Sequence, residues 1–384
     1  MAQVNATRGA GLLYPEVPVT DQQAYPVDDN IRAEVDRELA AFLHTKRDDA
    51  ARIDSQFVAA VDSLSDFVLG GGKRLRPTFA WWGWRGAGGS PTDPETHAVL
   101  RAVSSLELIQ ACALVHDDLM DDSTTRRGAP TVHVDFAARH RAAGWLGTPE
   151  RFGAATAILL GDIALAWADD MLRGADLWPD QMGRALGVWQ AMRTEVLAGQ
   201  YLDVLTQARG DEAPETALQI DRYKTAAYTV ERPLHLGAAI AGACPALVDA
   251  YGRFGADIGI AFQLRDDLLG MFGDPVVTGK PAGDDLREGK RTLLLAYGLR
   301  AADRHRHTKA ATLLRGAIGN PQVQHDTVTQ VRELLIDLGA VAEVESRIGE
   351  LTDSALASMQ STDLDEPARS RLIELAAQAT SRTS

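Results

Sequence analysis

Leu114-Val115-His116-Asp117-Asp118-Leu119-Met120-Asp121-Asp122 sets four carboxylates at the end of a long apolar run. From Ala98 to Val115 there is neither Pro nor Gly. Val99, Ala102, Val103, Leu106, Ile109, Ala113 and Leu114 recur at helical spacing, so the stretch reads as a buried helix with the aspartates late on it. On a helix Asp117 shares a face with Asp121, and Asp118 with Asp122. Like charges so placed cost about 0.2–0.5 kcal/mol per pair in water, and more in a poorly solvated cleft. A cation is needed to offset them, unless the cluster is simply a solvated helix end. An oxygen-only donor set suits a hard divalent ion, and Mg2+ in particular is held by one or two carboxylates together with substrate phosphates.

Outward from this stretch the pattern stays helical. Residues 1–27, with Pro15, Pro18 and Pro26, read as a flexible N-terminal arm, and 28–384 as one domain. Asp29 or Asn30 caps a helix through Ile31, Val35, Leu39 and Leu43, and a second, through Phe57, Val61, Leu64 and Val68, stops at Gly70-Gly71-Gly72. Pro77 opens another, whose tryptophans at 81, 82 and 84 are expected in the core. Further helical patterns cover Phe152 to Leu172, Met182 to Leu205, Thr216 to Ala241 and Ala246 to Phe272. Period-two runs are absent, which makes the chain all-α.

The 384 residues are 45% hydrophobic and 24% charged, an ordinary globular balance. A net charge of −14 and a pI near 5.1 leave no basic field to attract nucleic acid or an anionic membrane. Any phosphate site must therefore be local. Cys112 and Cys244 lie among apolar residues, as reduced, buried thiols do, which points to a cytoplasmic protein. No uninterrupted apolar stretch reaches the ~18–20 residues of a membrane span, and no signal layout opens the chain, so stable membrane insertion is not expected.

Other motifs complete the chemistry. Gln263-Leu264-Arg265-Asp266-Asp267-Leu268 repeats the layout of the first cluster far downstream, which implies two facing helices able to clamp a diphosphate through bound ions. Gly270 stands where a strict repeat wants Asp, so this cluster is weaker unless Asp284 or Asp285 helps. In Gly71-Gly72-Lys73-Arg74-Leu75-Arg76-Pro77, glycines let backbone N–H groups approach an anion while Lys73 and Arg76 supply charge. A helix C-cap followed by solvated cations would look similar. Arg126-Arg127 either neutralises the aspartates or forks phosphate oxygens. Lys224-Thr225, Lys280 and Lys290 are further candidates. His116 beside Asp117 fits a metal phosphohydrolase dyad or, more simply, a histidine packed at a helix end.

Asp117-Asp118-x-x-Asp121, then Arg126-Arg127-Gly128, with Gly71 to Pro77 upstream and Gln263-x-x-Asp266-Asp267 through Gly279-Lys280 downstream, resembles the trans-isoprenyl diphosphate synthases from about residue 30 to 380. The resemblance implies an isoprenoid-synthase-type helical bundle around a deep central cavity, usually a homodimer. It implies a prenyltransferase that condenses isopentenyl diphosphate with an allylic diphosphate (dimethylallyl, geranyl or farnesyl). Carried over residue by residue, Asp117, Asp118, Asp121 and Asp266, with Asp267 in support, hold Mg2+, three ions per site, with Mn2+ able to substitute. Arg126, Lys224, Thr225, Gln263, Lys280 and Lys290 hold the allylic diphosphate. Lys73, Arg76 and Arg127 hold isopentenyl diphosphate, with Gln110 where many relatives have His. Asp117, Asp118, Asp121, Lys224, Asp266 and Lys280 then form the catalytic set.

The first motif is as short as in the geranylgeranyl type. Chain length is expected to be set one and two turns before Asp117, at ~5.4 Å per turn, by Ala113, Cys112 and Ile109. Small residues one turn down predict a C20 product, with farnesyl or C25 products as alternatives. A class I terpene cyclase would not need the Gly71 to Pro77 turn, and a regulatory subunit would be expected to have lost aspartates.

Overall fold

The computed structural model describes residues 27–273, 283–360 and 362–381. The proposed arm, 1–27, lies outside them except for Val27, which opens a short 3-10 turn, Val27–Asp29, and packs on the core. Two helices follow, α1 (Ile31–Ile53), capped by the Asn30 side chain on the Ala33 N–H, and α2 (Ser55–Leu69). The chain turns through Gly71 and Gly72, both at positive φ, into α3 (Leu75–Gly86), where Trp81, Trp82 and Trp84 are almost wholly buried.

The helix expected to carry the first aspartates is two helices, α4 (Thr96–Ser104) and α5 (Leu106–Met120). The hydroxyls of Ser104 and Ser105 donate back to the carbonyls of Leu100 and Ala102 (2.7 and 2.5 Å), a competition for backbone acceptors that bends helices. After α5 comes a two-residue antiparallel hairpin, Thr125–Arg126 with Ala129–Pro130, the one strand pair among the described residues. Its turn places Arg127 and Gly128 at positive φ, as a tight hairpin requires. Then follow α6 (Val132–Ala143), which the sequence patterns do not signal, α7 (Pro149–Arg173) and the 31-residue α8 (Pro179–Arg209).

The predicted helix from Thr216 to Ala241 is composite. It consists of α9 (Pro214–Ile220), a π-helical stretch Asp221–Glu231, and α10 (Arg232–Ala241). The π-helix lies between α8 and α11 (Pro245–Phe272) at two close approaches. A side chain at Gly199 would run into the Lys224 backbone, and one at Gly259 into Ala226. Past 283 come α12 (Asp284–Glu288), α13 (Leu293–Arg304), α14 (Thr308–Ala317), α15 (His325–Asp337), α16 (Ala340–Gln360) and α17 (Ala368–Thr380).

One expectation changes. Cys112 is buried, but Cys244, the residue before α11, is exposed. Thr96–Met120 and Pro149–Arg173 are long and apolar enough to cross a bilayer; the first is largely enclosed by the protein, while the second leaves much of its surface outside.

Candidate active site

A cavity of ≈ 550 Å³ opens between the helices, and it collects most of the residues singled out in the sequence. Asp117 enters from α5, and Gln263, Asp266 and Asp267 from α11, so the two aspartate helices face one space. Lys73 and Arg76 come from the turn into α3, Arg126 and Arg127 from the hairpin, Lys224 and Thr225 from the π-helix, and Lys290 from beyond α12. Lys280 lies outside the described residues.

Lysines bridge the carboxylates. Lys224 Nζ donates to Asp117 Oδ1 (2.8 Å) and Asp203 Oδ2 (2.6 Å), and Gln200 donates a second hydrogen bond to Asp117 at 3.0 Å. Lys290 Nζ sits 2.7 Å from Glu288 and 3.3 Å from both Asp121 and Asp285. Burial opposes the charge on Asp117, but Lys224, Lys290 and Arg126 hold its carboxyl well below the usual range. Burial likewise opposes the ammonium of Lys224, yet Asp117 and Asp203 raise its pKa. Asp121 is pushed up to about 6 by burial and by the charge on Asp117. Asp221 reaches about 8 through burial and the nearby Asp203. Asp267 is raised by burial and by the charges of Asp221 and Asp285. The cavity thus holds more negative charge than its lysines offset.

Two assignments change in detail. Asp118 is 1% exposed and does not line the cavity; Arg126 grips both its oxygens at 2.5–2.8 Å. Asp118, expected as a metal ligand, is paired with Arg126 in this structure and aims that guanidinium into the site. Of the three chain-length positions only Ala113 lines the cavity. Cys112 points toward α7, its Sγ 3.7 Å from His116 Nδ1, and Ile109 is buried in the core. His116 itself reaches the Ile158 carbonyl at 3.2 Å, the packed role and not a dyad.

The glycine turn sorts its cations by direction. Arg74, in the left-handed region at φ 49°, turns inward to Glu107 (2.7 Å), Asp36 (2.7 Å) and the Val68 carbonyl (2.8 Å), which fixes the turn. Lys73 and Arg76 face the cavity. Arg76 stacks 4.0 Å over the Tyr228 ring and donates to Thr229 (2.7 Å), while its Nε is buried with no hydrogen-bond partner. Tyr228 donates to Gln110 Oε1. Arg127 donates to the Gly71 carbonyl at 2.8 Å, and burial together with Arg126 and Arg74 lowers its pKa. Cations crowded by cations, with an unused donor, suit an anion of high charge.

Among the described residues no three His, Cys, Asp or Glu are gathered closely enough to hold an ion alone. The carboxylates nevertheless fit Mg2+. They offer only oxygen, and Asp117 faces Asp266 and Asp267 across the cavity; Asp121 is not among the residues lining it, and its buried Oδ2 lies 3.3 Å from Lys290 Nζ without hydrogen-bond geometry. A hard ion that completes its shell with phosphate oxygens needs no more. Across the first gap, Thr225 donates to Gln263 Oε1 and Gln263 Nε2 to Asp267 Oδ1, both at 2.7 Å, tying the π-helix to the second cluster.

Gln200, Asp203, Asp221 and Tyr228 are site residues that the sequence reading missed. Each is a single polar residue in a helical pattern, where it looks like part of a solvated face. The π-helix is what turns Asp221, Lys224, Thr225, Tyr228 and Thr229 together onto the cavity, and π-helical segments concentrate at functional sites.

Known proteins align with this geometry. A geranylgeranyl pyrophosphate synthase from Corynebacterium glutamicum, solved with isoprenyl diphosphate and magnesium, superposes with a TM-score of 0.88 at 48% identity, over 91% of this chain and 97% of that one. A geranylfarnesyl diphosphate synthase from Aeropyrum pernix is 35% identical over 73% of this chain and 80% of its own length. A (2E,6E)-farnesyl diphosphate synthase from Mycobacterium bovis is 34% identical over 69% of this chain and 67% of its own. The family profile described as polyprenyl synthetase matches residues 59–335, and with the aspartate helices and cationic turn around one cavity, the chain belongs to the polyprenyl synthetase family of trans-prenyltransferases.

Proposed function

We propose that this chain condenses isopentenyl diphosphate with an allylic diphosphate to give an all-trans short-chain prenyl diphosphate, chiefly geranylgeranyl diphosphate. The observation that carries the reading is one cavity walled by two aspartate-bearing helices and, separately, by the Lys73, Arg76 and Arg127 group. Two diphosphates need two cationic sites, and a cyclase needs one. Relatives named for C15, C20 and C25 products bracket the proposed length, and the Corynebacterium glutamicum structure, 48% identical, is named for C20.

Mg2+, three ions per site with Mn2+ able to substitute, would supply Lewis-acid stabilisation of the charge gathering on the leaving diphosphate, held by Asp117, Asp121, Asp266 and Asp267. Lys224, Arg126 and Lys290 add fixed positive charge at the same end. The allylic C–O bond breaks and its electron pair leaves with the diphosphate. Leu114, Val196 and Phe262 line the cavity and keep water from the cation. Lys73, Arg76 and Arg127 orient the isopentenyl double bond, which forms the new C–C bond. The proton then released passes to the departed diphosphate, since no side chain is placed as a dedicated base in this reading.

We further infer a cytoplasmic homodimer. Ile158 and Leu159 on α7, with Leu197, Tyr201 and Val204 on α8, are 42–66% exposed, an apolar face that a second copy would cover. Omission tests the reaction: product must require both diphosphates and Mg2+. Consumption of the allylic diphosphate alone would favour a cyclase and overturn the reading.

A further inference from the structure

Gly270 is where the second aspartate cluster departs from the first. Asp266 and Asp267 match Asp117 and Asp118, but the counterpart of Asp121 is glycine. The fold fills this gap from another segment. A Cβ built on Gly270 would overlap Asp285 Oδ2, and the Asp285 Cγ lies 3.2 Å from it. The Asp285 carboxylate therefore occupies the volume that an aspartate side chain at 270 would take.

The placement is held by the backbone. Gly283 N–H donates to the Gly270 carbonyl at 3.1 Å, pinning the start of α12 to the end of α11, and Lys290 N–H donates to the Asp285 carbonyl at 3.0 Å. Asp285, Asp267, Asp266 and Gly270 line the same cavity, together with Asp221. Asp221 is 7% exposed and its Oδ2 has no hydrogen-bond partner, a buried oxygen that the protein itself leaves unsatisfied. Lys290 joins the two sides, 3.3 Å from Asp285 and 3.3 Å from Asp121.

We propose that Asp285 supplies the third carboxylate of the second cluster, so that Asp266, Asp267 and Asp285, which do not by themselves gather closely enough to hold an ion, form together with diphosphate oxygens the divalent-metal face opposite Asp117. Glycine at 270 leaves the Asp285 carboxylate in this place, since a Cβ there would require that carboxylate to shift. The proposal rests on the metal-dependent reading above, and it adds that two positions, 270 and 285, compete for one carboxylate site.

The test is binding of Mn2+, followed by electron paramagnetic resonance in the presence of inorganic diphosphate, with the full chain and four variants. Asp285→Ala and Asp285→Asn should each weaken Mn2+ binding by about 10–100-fold, the range for loss of a metal-supporting group. Asn keeps an oxygen for Lys290, so a purely structural role would leave the affinity of that variant unchanged. Gly270→Asp alone should also weaken binding, because the two side chains collide. Combined with Asp285→Ala, Gly270→Asp should recover affinity toward the native value. Thermal unfolding without metal shows which variants fold; should Gly270→Asp fail, Asp285→Ala against the double variant decides. Native affinity in Asp285→Asn, or a double variant no tighter than Asp285→Ala, overturns the proposal. Absence of Mn2+ binding by the native chain overturns the metal reading itself.

Discussion

Replacing Lys224 by Met keeps the length of the aliphatic stem and removes the ammonium that bridges Asp117 and Asp203. At 2.8 and 2.6 Å, and at an effective dielectric constant near 20, each contact carries roughly 6 kcal/mol of gross attraction. Side-chain exposures of 20%, 16% and 6% for Lys224, Asp117 and Asp203 leave little solvent screening. Much of that attraction repays desolvation, so the net cost of breaking such a buried pair is about 3–5 kcal/mol. The loss should depend on pH. Asp117 is depressed in the native protein, so its stabilisation is present above the unfolded pKa and is lost only as pH falls through the still lower folded value. Without Lys224, burial dominates and lifts Asp117, so the variant gains stability relative to native as pH falls from 8 to 5. Urea unfolding in EDTA at pH 8 and pH 5 measures both deficits, and that at pH 8 should be the larger. Mg2+ added at pH 8 should stabilise the variant more than the native chain, since it replaces the missing positive charge. Equal deficits at the two pH values, or an equal response to Mg2+, would refute this account of the carboxylate cluster.

The other predictions address binding and product. Asp117→Asn and Asp266→Asn should each lower kcat by about 10²–10³, the cost of removing one group that stabilises charge in the transition state, and EDTA should abolish turnover; full activity in EDTA would end the metal reading. Arg76→Ala and Arg127→Ala should raise the KM for isopentenyl diphosphate more than that for the allylic partner, and the reverse order would move them to the other site. Ala113→Phe should shorten the product toward C15, because the ring enters the cavity at an overpacking cost of about 1–3 kcal/mol. Cys112→Phe should act less, since Cys112 points to His116 and α7, and product chromatography separates the two.

The aspartate helices were legible because their signal is redundant: an apolar 3.6-residue pattern says where the helix is buried, and clustered carboxylates at its end say that something must balance them. The glycine turn was legible as a motif, but not the split inside it, because only the partners Glu107 and Asp36 turn Arg74 inward while Lys73 and Arg76 face the cavity. Asp118 illustrates the same limit. Its neighbour Asp117 has the same chemistry, and the separation into anchor and cavity carboxylate comes from the hairpin that returns Arg126 to it. Asp203 and Asp221 could not be found along the chain, since each matters through Lys224 and Asp267 on other segments. The π-helix left no periodic trace either: it widens one stretch of an otherwise regular helical pattern and is fixed by the close approaches at Gly199 and Gly259.

Incubation of the purified chain with farnesyl diphosphate, excess isopentenyl diphosphate and Mg2+, followed by chromatography and mass analysis of the dephosphorylated products, tests the central claim most directly. The account predicts a new C20 alcohol, all-trans, that carries one isopentenyl unit per farnesyl chain and is absent when either diphosphate or Mg2+ is withheld. Farnesyl diphosphate recovered unextended, or consumed to hydrocarbon without isopentenyl incorporation, would contradict it.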